Sequence, residues 1–283
     1  NDKIYIPVEK ISTIFKYADA EGTVPKINQL NSPAWAKTKR YVSVKIKDIS
    51  AELLKLYAER SKIKSPKFKE FPEELIFANN FEYTETKDQL KCIEDILNDL
   101  HSEKPMDRLL CGDVGFGKTE VALRAAFVVA SSGAQVAILV PTTILAEQHF
   151  QNFRERFAGT PINIELLSRF KTAKQQHEAL AGLKNGQIDI IIGTHKLLSK
   201  DVEFKNLGLI IVDEEHRFGV THKERIKDMK RTVDVLTLTA TPIPRTLEMA
   251  LTGIRDISTI NTAPEIRKSI LSYVVQFNWG IIR

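Results

Sequence analysis

Short apolar segments that alternate with amphipathic stretches constrain the fold of this chain more than any other feature. Near-continuous apolar runs of this length are typical of strands buried on both faces. Strand–helix alternation predicts a parallel, doubly wound α/β sheet, whose ligands bind beyond the carboxyl ends of the strands. The predicted strands are Arg108–Cys111, Gln135–Val140, Ile162–Leu167, Ile188–Ile192, Leu207–Val212, Val235–Thr239 and Ile270–Val275, and the clearest predicted helices are Lys87–Leu100 and Thr119–Ala130.

Composition narrows the class of protein. Of the 283 residues, 43% are hydrophobic and 27% are charged, which is typical of a globular chain. No apolar stretch approaches the ~18 residues that a membrane span needs. The two cysteines, Cys92 and Cys111, exclude a disulfide scaffold or a zinc ribbon and suit a reducing compartment, so we expect a cytoplasmic protein in which Cys111 is buried.

The N-terminal part of the chain differs from the rest. Residues 1–80 carry 15 Lys and Arg against 10 Asp and Glu, whereas the remaining residues carry 26 of each. This basic excess is either a solvated helix face or a surface that attracts polyanions. Residues 1–30, with one unpartnered strand at Ile4–Val8, are predicted to end a domain that begins upstream. Residues 31–80 are predicted as a long helix, from Ser32 to about Lys62, plus a connector, and residues 81–283 as the α/β domain.

A glycine-rich segment joins one predicted strand to the next helix. It has the pattern G-x-x-x-x-G-K-T and consists of Gly112, Asp113, Val114, Gly115, Phe116, Gly117, Lys118 and Thr119. Glycines allow the backbone N–H groups to turn towards an anion, and the helix N-terminus adds positive charge. Lys118 is expected to reach the β- and γ-phosphates and the Thr119 hydroxyl to bind Mg²⁺. The segment predicts a site for a nucleoside triphosphate.

An acidic pair follows another predicted strand. Asp213 and Glu214 come directly after the apolar run Leu209–Val212. Asp213 is expected to hold Mg²⁺, and Glu214 to orient and deprotonate the attacking water. A surface acid cluster is the alternative interpretation, but the glycine-rich segment and the acidic pair each need the other to make a hydrolytic site.

These and other motifs resemble those of superfamily 2 helicases and translocases. Asp213-Glu214-Glu215-His216 resembles the D-E-x-H box. In sequence order, the other matches are Phe81 with Thr86 and Gln89 (a Q-type adenine motif), Val140–His149 (motif Ia), Gly193-Thr194-His195 (motif Ib) and Leu238–Pro242 (motif III). Three segments resemble in their residue identities the sequences of the branch formed by RecG and the transcription-repair coupling factors. They are Gly112–Glu120, His216–Val220 and Thr241–Leu247. Ser168-Arg169-Phe170 and Gly193–Leu198 favour the coupling factors.

The resemblance implies a RecA-like P-loop lobe that uses ATP and Mg²⁺, with roles for particular residues. Lys118 and Glu214 would be catalytic, and Phe81 and Gln89 would bind the adenine. The residues that couple the γ-phosphate state of the nucleotide to DNA binding would be His216, Thr239 and Thr241. The DNA contacts would be Pro141, Thr142, Thr143, Arg169, Gly193, Thr194, His195 and Arg245. Two roles are open for the threonines, helix capping and phosphate binding, and one side chain can have both.

The resemblance also implies the role of the longer protein. It would be a bacterial double-stranded DNA translocase that displaces stalled RNA polymerase at lesions and couples transcription to excision repair through UvrA. The polymerase would bind the truncated N-terminal domain. Since a second lobe supplies the arginine fingers of such motors, we expect this chain alone to hydrolyse little ATP. A RecG-type fork-remodelling helicase and a nucleotide-gated binding module remain alternatives, although Glu214 argues against the latter. His149 and His222 are expected at exposed helix positions.

Overall fold

The computed structural model describes residues 33, 37–41, 43–44, 67–229, 233–241, 255–265 and 267. The chain divides into two compact units, residues 1–56 and 57–283. The described residues of the first unit are helical, as predicted for those positions, and they are exposed. The rest of the predicted long helix and the strand at Ile4–Val8 lie outside the described residues. Within the described part, no helix has the length and apolar character needed to cross a membrane.

The described residues of the second unit form a seven-stranded sheet in which every pairing is parallel. Its spatial order is β3-β4-β2-β5-β6-β1-β7. This confirms the predicted doubly wound α/β class. The strands are β1 (Asp107–Gly112), β2 (Gln135–Leu139), β3 (Ile164–Leu167), β4 (Ile190–Gly193), β5 (Leu207–Asp213), β6 (Asp234–Thr239) and β7 (Asp256–Ile260).

Helices connect the strands. They are α1 (Pro72–Asn79), α2 (Lys87–Leu100), α3 (Lys118–Ser131), α4 (Thr143–Arg156), α5 (Ala173–Asn185) and α6 (Val220–Met229), with short 3₁₀ helices at His195–Leu198 and Glu215–Arg217. The sequence did not predict α1 or β7. β7 lies at the end of the described sheet and is only partly buried, so it lacks a continuous apolar run. The predicted strand Ile270–Val275 lies outside the described residues.

Two hydrophobic clusters cover the two faces of the sheet. Successive residues of a strand point to opposite faces, so Ile138 belongs to one cluster and Ala137 to the other. The first cluster includes residues of α2, α3 and α4, and the second includes residues of α5 and α6. α3 lies deepest, because every residue from Val121 to Ala130 is buried. Helices on both faces explain why the central strands are apolar throughout.

The strand register brings the candidate site residues to one edge of the sheet. Leu139 of β2 is level with Gly193 of β4 and Val212 of β5. Asp213 is level with Leu238 of β6, which is level with Leu110 of β1. The loops that follow these strands therefore lie side by side at the carboxyl edge of the sheet.

Candidate nucleotide site

The glycine-rich loop forms a tight bend between β1 and α3. Gly115 and Gly117 have left-handed backbones, with φ of 80° and 79°, and Gly117 is the N-cap of α3. A Cβ on Gly117 would lie 2.3 Å from the side-chain nitrogen of Gln89, so only glycine fits there without displacing that side chain. Asp113 accepts a hydrogen bond at 2.8 Å from the backbone N–H of Val114, which braces the first half of the loop. Left-handed glycines before a helix N-terminus are compatible with a loop whose N–H groups face an anion, and phosphate binding here stays a prediction.

Lys118 extends along this loop. Its ammonium group donates hydrogen bonds to the backbone carbonyls of Gly112, at 2.7 Å, and Asp113, at 3.0 Å. Burial lowers the pKa of Lys118, while the negative charges of Asp213, Glu214 and Asp113 act in the opposite direction. The acidic pair after β5 is therefore close enough to Lys118 to interact with it electrostatically. The two motifs lie together, as their pairing in one site requires.

Glu214 has an unusual backbone conformation. Its φ is 51°, the one described non-glycine residue with positive φ. Its N–H donates to the carbonyl of Leu238 at 3.0 Å, and its carboxylate accepts from the N–H of Ala240 at 2.9 Å. Thr239 accepts a hydrogen bond from the N–H of Thr241 at 3.1 Å. The acidic pair and the Thr239–Thr241 segment are thus joined directly. The backbone of His216 lies in the adjacent 3₁₀ helix, and its side chain lies outside the described residues.

The oxygen donors near Lys118 fit Mg²⁺. Asp213 supplies a carboxylate at the end of β5, and Thr119 supplies a hydroxyl in the first turn of α3. Mg²⁺ prefers oxygen ligands and is commonly held by one or two protein groups together with water and phosphate oxygens. Within the described residues there is no cluster of three or more His, Cys, Asp or Glu side chains arranged to hold a metal. These oxygen donors suit a magnesium ion that is also bound by phosphate and water, and metal binding by Asp213 and Thr119 stays a prediction.

A cleft of about 870 Å³ lies beside the loop. Its lining includes Phe81, Gln89, Gly117, Thr119 and Arg267. Gln89 is buried, donates to the carbonyl of Phe116 at 2.8 Å and accepts from the N–H of Thr86 at 2.8 Å. Its amide therefore connects the start of α2 to the loop. Whether Phe81 and Gln89 also bind adenine stays a prediction.

The segment after β7 supplies contacts that the sequence did not predict. The guanidinium of Arg267 lies 3.3 Å from a carboxylate oxygen of Asp113 and 4.6 Å from the centre of the Phe116 ring. This ion pair and the N–H of Val114 lower the pKa of Asp113, with the N–H the larger cause. Asp88 at the start of α2 accepts hydrogen bonds from Asn261 and Thr262. Arg267 is 149 residues away from the start of α3 in the sequence numbering, and nothing local in the sequence indicated that it reaches the loop.

A buried charged network was also missed. Glu120 of α3 is 7% exposed and accepts hydrogen bonds from Arg124 and Arg156. Arg124 also pairs with Glu85, and Arg156 donates to the carbonyl of Phe77 at 2.6 Å. The network joins α3 and α4 to the segment before α2, which lines the cleft. Only its i, i+4 pair, Glu120 and Arg124, could be found from sequence spacing.

All the candidate DNA-contacting residues except Arg245 lie at or after the ends of β2, β3 and β4, which are neighbours in the sheet. Thr142 caps α4, since its hydroxyl accepts from the N–H of Leu145 at 3.2 Å. Pro141 and Thr143 flank this cap. Gly193 ends β4, where a Cβ would lie 2.8 Å from the carbonyl oxygen of Leu167.

Three further candidates, Arg169, Thr194 and His195, follow β3 and β4. Arg169 is exposed, with its guanidinium 5.4 Å from the centre of the Phe170 ring. Thr194 is buried, and the His195 ring stacks on that of His222 at 5.0 Å. Arg245 lies outside the described residues. DNA contact by any of these residues stays a prediction.

The expectation that His149 is an exposed helix residue was wrong. Its side chain is buried on α4, and Nε2 lies 3.3 Å from a carboxylate oxygen of Asp213. This burial could not be predicted from the sequence, because α4 has few apolar residues with which to define its buried face. His222 is partly exposed, and Cys111 is buried as predicted.

Comparisons with known proteins agree with this geometry. A model of the DEAD/DEAH box helicase family matches residues 86–250, more than half of the chain. Over its whole length, the chain is 55% identical to the transcription-repair-coupling factor of Bacillus subtilis (strain 168) and 51% identical to that of Staphylococcus aureus (strain USA300). It spans 24% of the length of each of these relatives.

A solved structure is also similar. The structure of RecG bound to a three-way DNA junction is 39% identical, with a TM-score of 0.66, over 78% of this chain and 31% of that one. The family model, the whole-chain identities and this structural similarity agree with the phosphate loop and the acidic pair of the site. The chain therefore belongs to the DEAD/DEAH box helicase family of ATP-dependent superfamily 2 enzymes, in the branch that contains RecG and the transcription-repair-coupling factors.

Proposed function

We propose that this chain is the ATP-binding first lobe of a double-stranded DNA translocase, which in the longer protein displaces stalled RNA polymerase at lesions and couples transcription to nucleotide excision repair. One observation carries the proposal. The carboxyl edge of the sheet has two halves. In one half, the ends of β1, β5 and β6 carry the phosphate loop, the acidic pair and the Thr239–Thr241 segment. In the other half, the ends of β2, β3 and β4 carry the candidate contacts to the DNA phosphate backbone. The names of the coupling-factor relatives support the finer assignment.

The nucleotide half would bind ATP through its phosphates. The loop N–H groups and the positive end of α3 would attract the triphosphate. The ammonium group of Lys118 would then donate to phosphate oxygens instead of to the loop carbonyls. Mg²⁺, held by Thr119 and Asp213, would supply charge neutralisation for the phosphates. Glu214, oriented by the N–H of Ala240, would accept a proton from the attacking water.

The other half would grip DNA without reading its sequence. Thr142 and Thr143 lie at the N-terminus of α4, where hydroxyl and N–H groups can bind a phosphate oxygen. Arg169 and His195, from the neighbouring loops, and Arg245 would add further contacts to the backbone. RNA polymerase would bind through an N-terminal domain that includes residues 1–30, and UvrA would bind elsewhere in the full-length protein.

The nucleotide assignment is tested by binding, since hydrolysis is proposed to need arginine fingers from a second lobe. We expect Lys118→Ala to reduce the affinity of the chain for a fluorescent ATP analogue with Mg²⁺ by at least about tenfold, because it removes the cation that meets the phosphates. Lys104→Ala is the matched control, since Lys104 is exposed and pairs with Asp256 at 3.3 Å. Equal affinity of the Lys118→Ala variant and the wild-type chain would contradict the nucleotide assignment.

The RecG similarity keeps a fork-remodelling helicase as the second candidate function. Both candidates use the same lobe, so only the full-length protein separates them. We expect it to displace a stalled RNA polymerase from duplex DNA when supplied with ATP. Regression of a model replication fork without polymerase displacement would instead favour the second candidate.

A further inference from the structure

His149 lies where a helix meets the acidic end of β5. It belongs to α4, is 9% exposed, and its ring centre is 6.4 Å from that of the buried Phe153. Its Nε2 is 3.3 Å from Oδ2 of Asp213. The aromatic neighbour and the carboxylate together fix the plane and direction of the imidazole.

The other ring nitrogen has no counterpart to this contact. Nδ1 of His149 is buried and has no hydrogen-bond partner among the described residues. A buried polar atom without a hydrogen-bond partner destabilises the folded state. An ionised carboxylate can only accept a hydrogen bond, so Nε2 is the donor at this contact and Nδ1 is the ring nitrogen without a described partner. An apolar side chain would fill the same space without this cost, so packing alone does not account for a histidine here.

The contact has a chemical consequence for Asp213. A carboxylate that is free to rotate exchanges its two oxygens, whereas one that accepts a fixed hydrogen bond at Oδ2 keeps Oδ1 directed elsewhere. Partners of this kind orient metal-ligating groups, and their loss typically weakens metal binding by about 10–100-fold. His149 touches neither the phosphate loop nor Glu214 in any described contact, so it acts on the site through Asp213.

We propose that His149 is a positioning residue that donates from Nε2 to Asp213 and orients its carboxylate for Mg²⁺. The inference rests on the proposed nucleotide function, which assigns Asp213 to the metal. It adds a residue of α4 to a site otherwise built from the ends of β1, β5 and β6. Because Thr142 caps α4, the helix that begins in the proposed DNA-binding region also contacts the proposed metal ligand.

Three substitutions separate this role from simple packing. His149→Gln places an amide nitrogen about where Nε2 lies, whereas His149→Asn places one near Nδ1 and is too short to reach Asp213. His149→Phe keeps the ring and removes both nitrogens. The measurement is a Mg²⁺ titration of fluorescent ATP-analogue binding to the 283-residue chain, with metal-free nucleotide affinity and melting temperature recorded for each variant.

We expect His149→Gln to retain the Mg²⁺ response of the wild-type chain. His149→Asn and His149→Phe should need about 10–100-fold more Mg²⁺ for the same enhancement, with metal-free nucleotide affinity unchanged. Unchanged Mg²⁺ titrations in both of these variants would overturn the inference. So would an equal loss of metal-free and Mg²⁺-dependent binding in all three, because that pattern indicates a packing role. If the wild-type chain binds no nucleotide at all, the proposed function fails and this inference fails with it.

Discussion

The carboxylate of Glu214 accepts a hydrogen bond from the backbone N–H of Ala240 at 2.9 Å. The backbone N–H of Glu214 also donates to Leu238, so both its main chain and its side chain are tied to the end of β6. These bonds hold Glu214 at a φ of 51°, a conformation that costs a non-glycine residue on the order of 1–3 kcal/mol. A strained, doubly anchored acid beside Lys118 is suited to a reaction that needs a fixed base.

Glu214→Gln tests this role. The glutamine oxygen can still accept from Ala240, so nucleotide affinity should not change, whereas proton abstraction is lost. In the full-length protein we expect ATP hydrolysis to fall by about 10²–10⁴-fold. Glu215→Gln is the control, since Glu215 instead lies 3.4 Å from the hydroxyl of Thr237 and should leave most of the hydrolysis. Normal turnover by the Glu214→Gln variant would show that another group is the base.

The fit of Gly117 can be tested with a glycine that shares its backbone. Gly117 and Gly133 both have a φ of 79°, but a Cβ on Gly117 would lie 2.3 Å from Gln89, whereas one on Gly133 would meet nothing within 4 Å. Both Gly→Ala variants should lose roughly 1 kcal/mol of unfolding free energy from the left-handed backbone. Only Gly117→Ala should also weaken binding of the ATP analogue. Equal nucleotide affinity of the two variants would argue against the close approach of Gln89 to the loop.

The buried network around Glu120 predicts a large stability effect for Arg156. Its guanidinium makes two hydrogen bonds to Glu120 and lies 4.0 Å from the centre of the Phe77 ring. Arg156→Met should reduce the free energy of unfolding by about 3 kcal/mol, because it leaves a buried carboxylate with one cation fewer. Arg154→Met on the same helix, where the arginine is exposed, should change it by less than about 0.5 kcal/mol. Urea denaturation measures both, and similar values for the two variants would contradict the structure.

Asp88 predicts a pH dependence of stability. Hydrogen bonds from the Thr262 hydroxyl and, next in size, the Asn261 N–H lower its pKa. The folded state therefore favours the carboxylate, and this stabilisation is complete above the ordinary aspartate pKa of about 3.9 and is lost as the pH falls through the lower folded value. Asp88→Asn should cost about 1 kcal/mol at pH 7, since the site is partly exposed, and progressively less below about pH 4.

Denaturation at neutral and acidic pH checks this prediction. Thr262→Val is the control, because it removes the hydroxyl donor and leaves both backbone donors in place, so its loss at pH 7 should be smaller. A cost for Asp88→Asn that stays constant from pH 7 to pH 3 would mean that the carboxylate charge contributes nothing.

The sequence predicted the parts of the site that are continuous along the chain. The phosphate loop and the acidic pair each follow a buried strand, and a strand end determines where the next residues lie. His149, Arg156 and Arg267 could not be predicted, because their partners are 64, 36 and 154 residues away in the sequence. Only the packing of α4 and the path of the segment after β7 bring them to the site. β7 was missed for a related reason, since a strand at the end of the sheet needs no continuous apolar run.

The last prediction separates helix capping from phosphate binding at Thr142. Thr142 and Thr86 cap α4 and α2 in the same way, each accepting from the N–H three residues on at 3.2 Å. Each Thr→Ala variant should therefore lose about 1 kcal/mol of unfolding free energy. Thr142 follows β2 in the proposed DNA half, whereas Thr86 caps the helix that contacts the nucleotide loop through Gln89.

Without nucleotide, Thr142→Ala should weaken duplex binding by the chain, and Thr86→Ala should not. A contact made only to phosphate predicts the same loss on duplexes of different sequence, and wild-type affinity that falls steeply with added salt. Filter binding or fluorescence anisotropy at several salt concentrations measures both effects. If the two variants lose equal stability and bind duplex equally well, Thr142 is a helix cap alone, and the grip on DNA must come from the loops after β3 and β4.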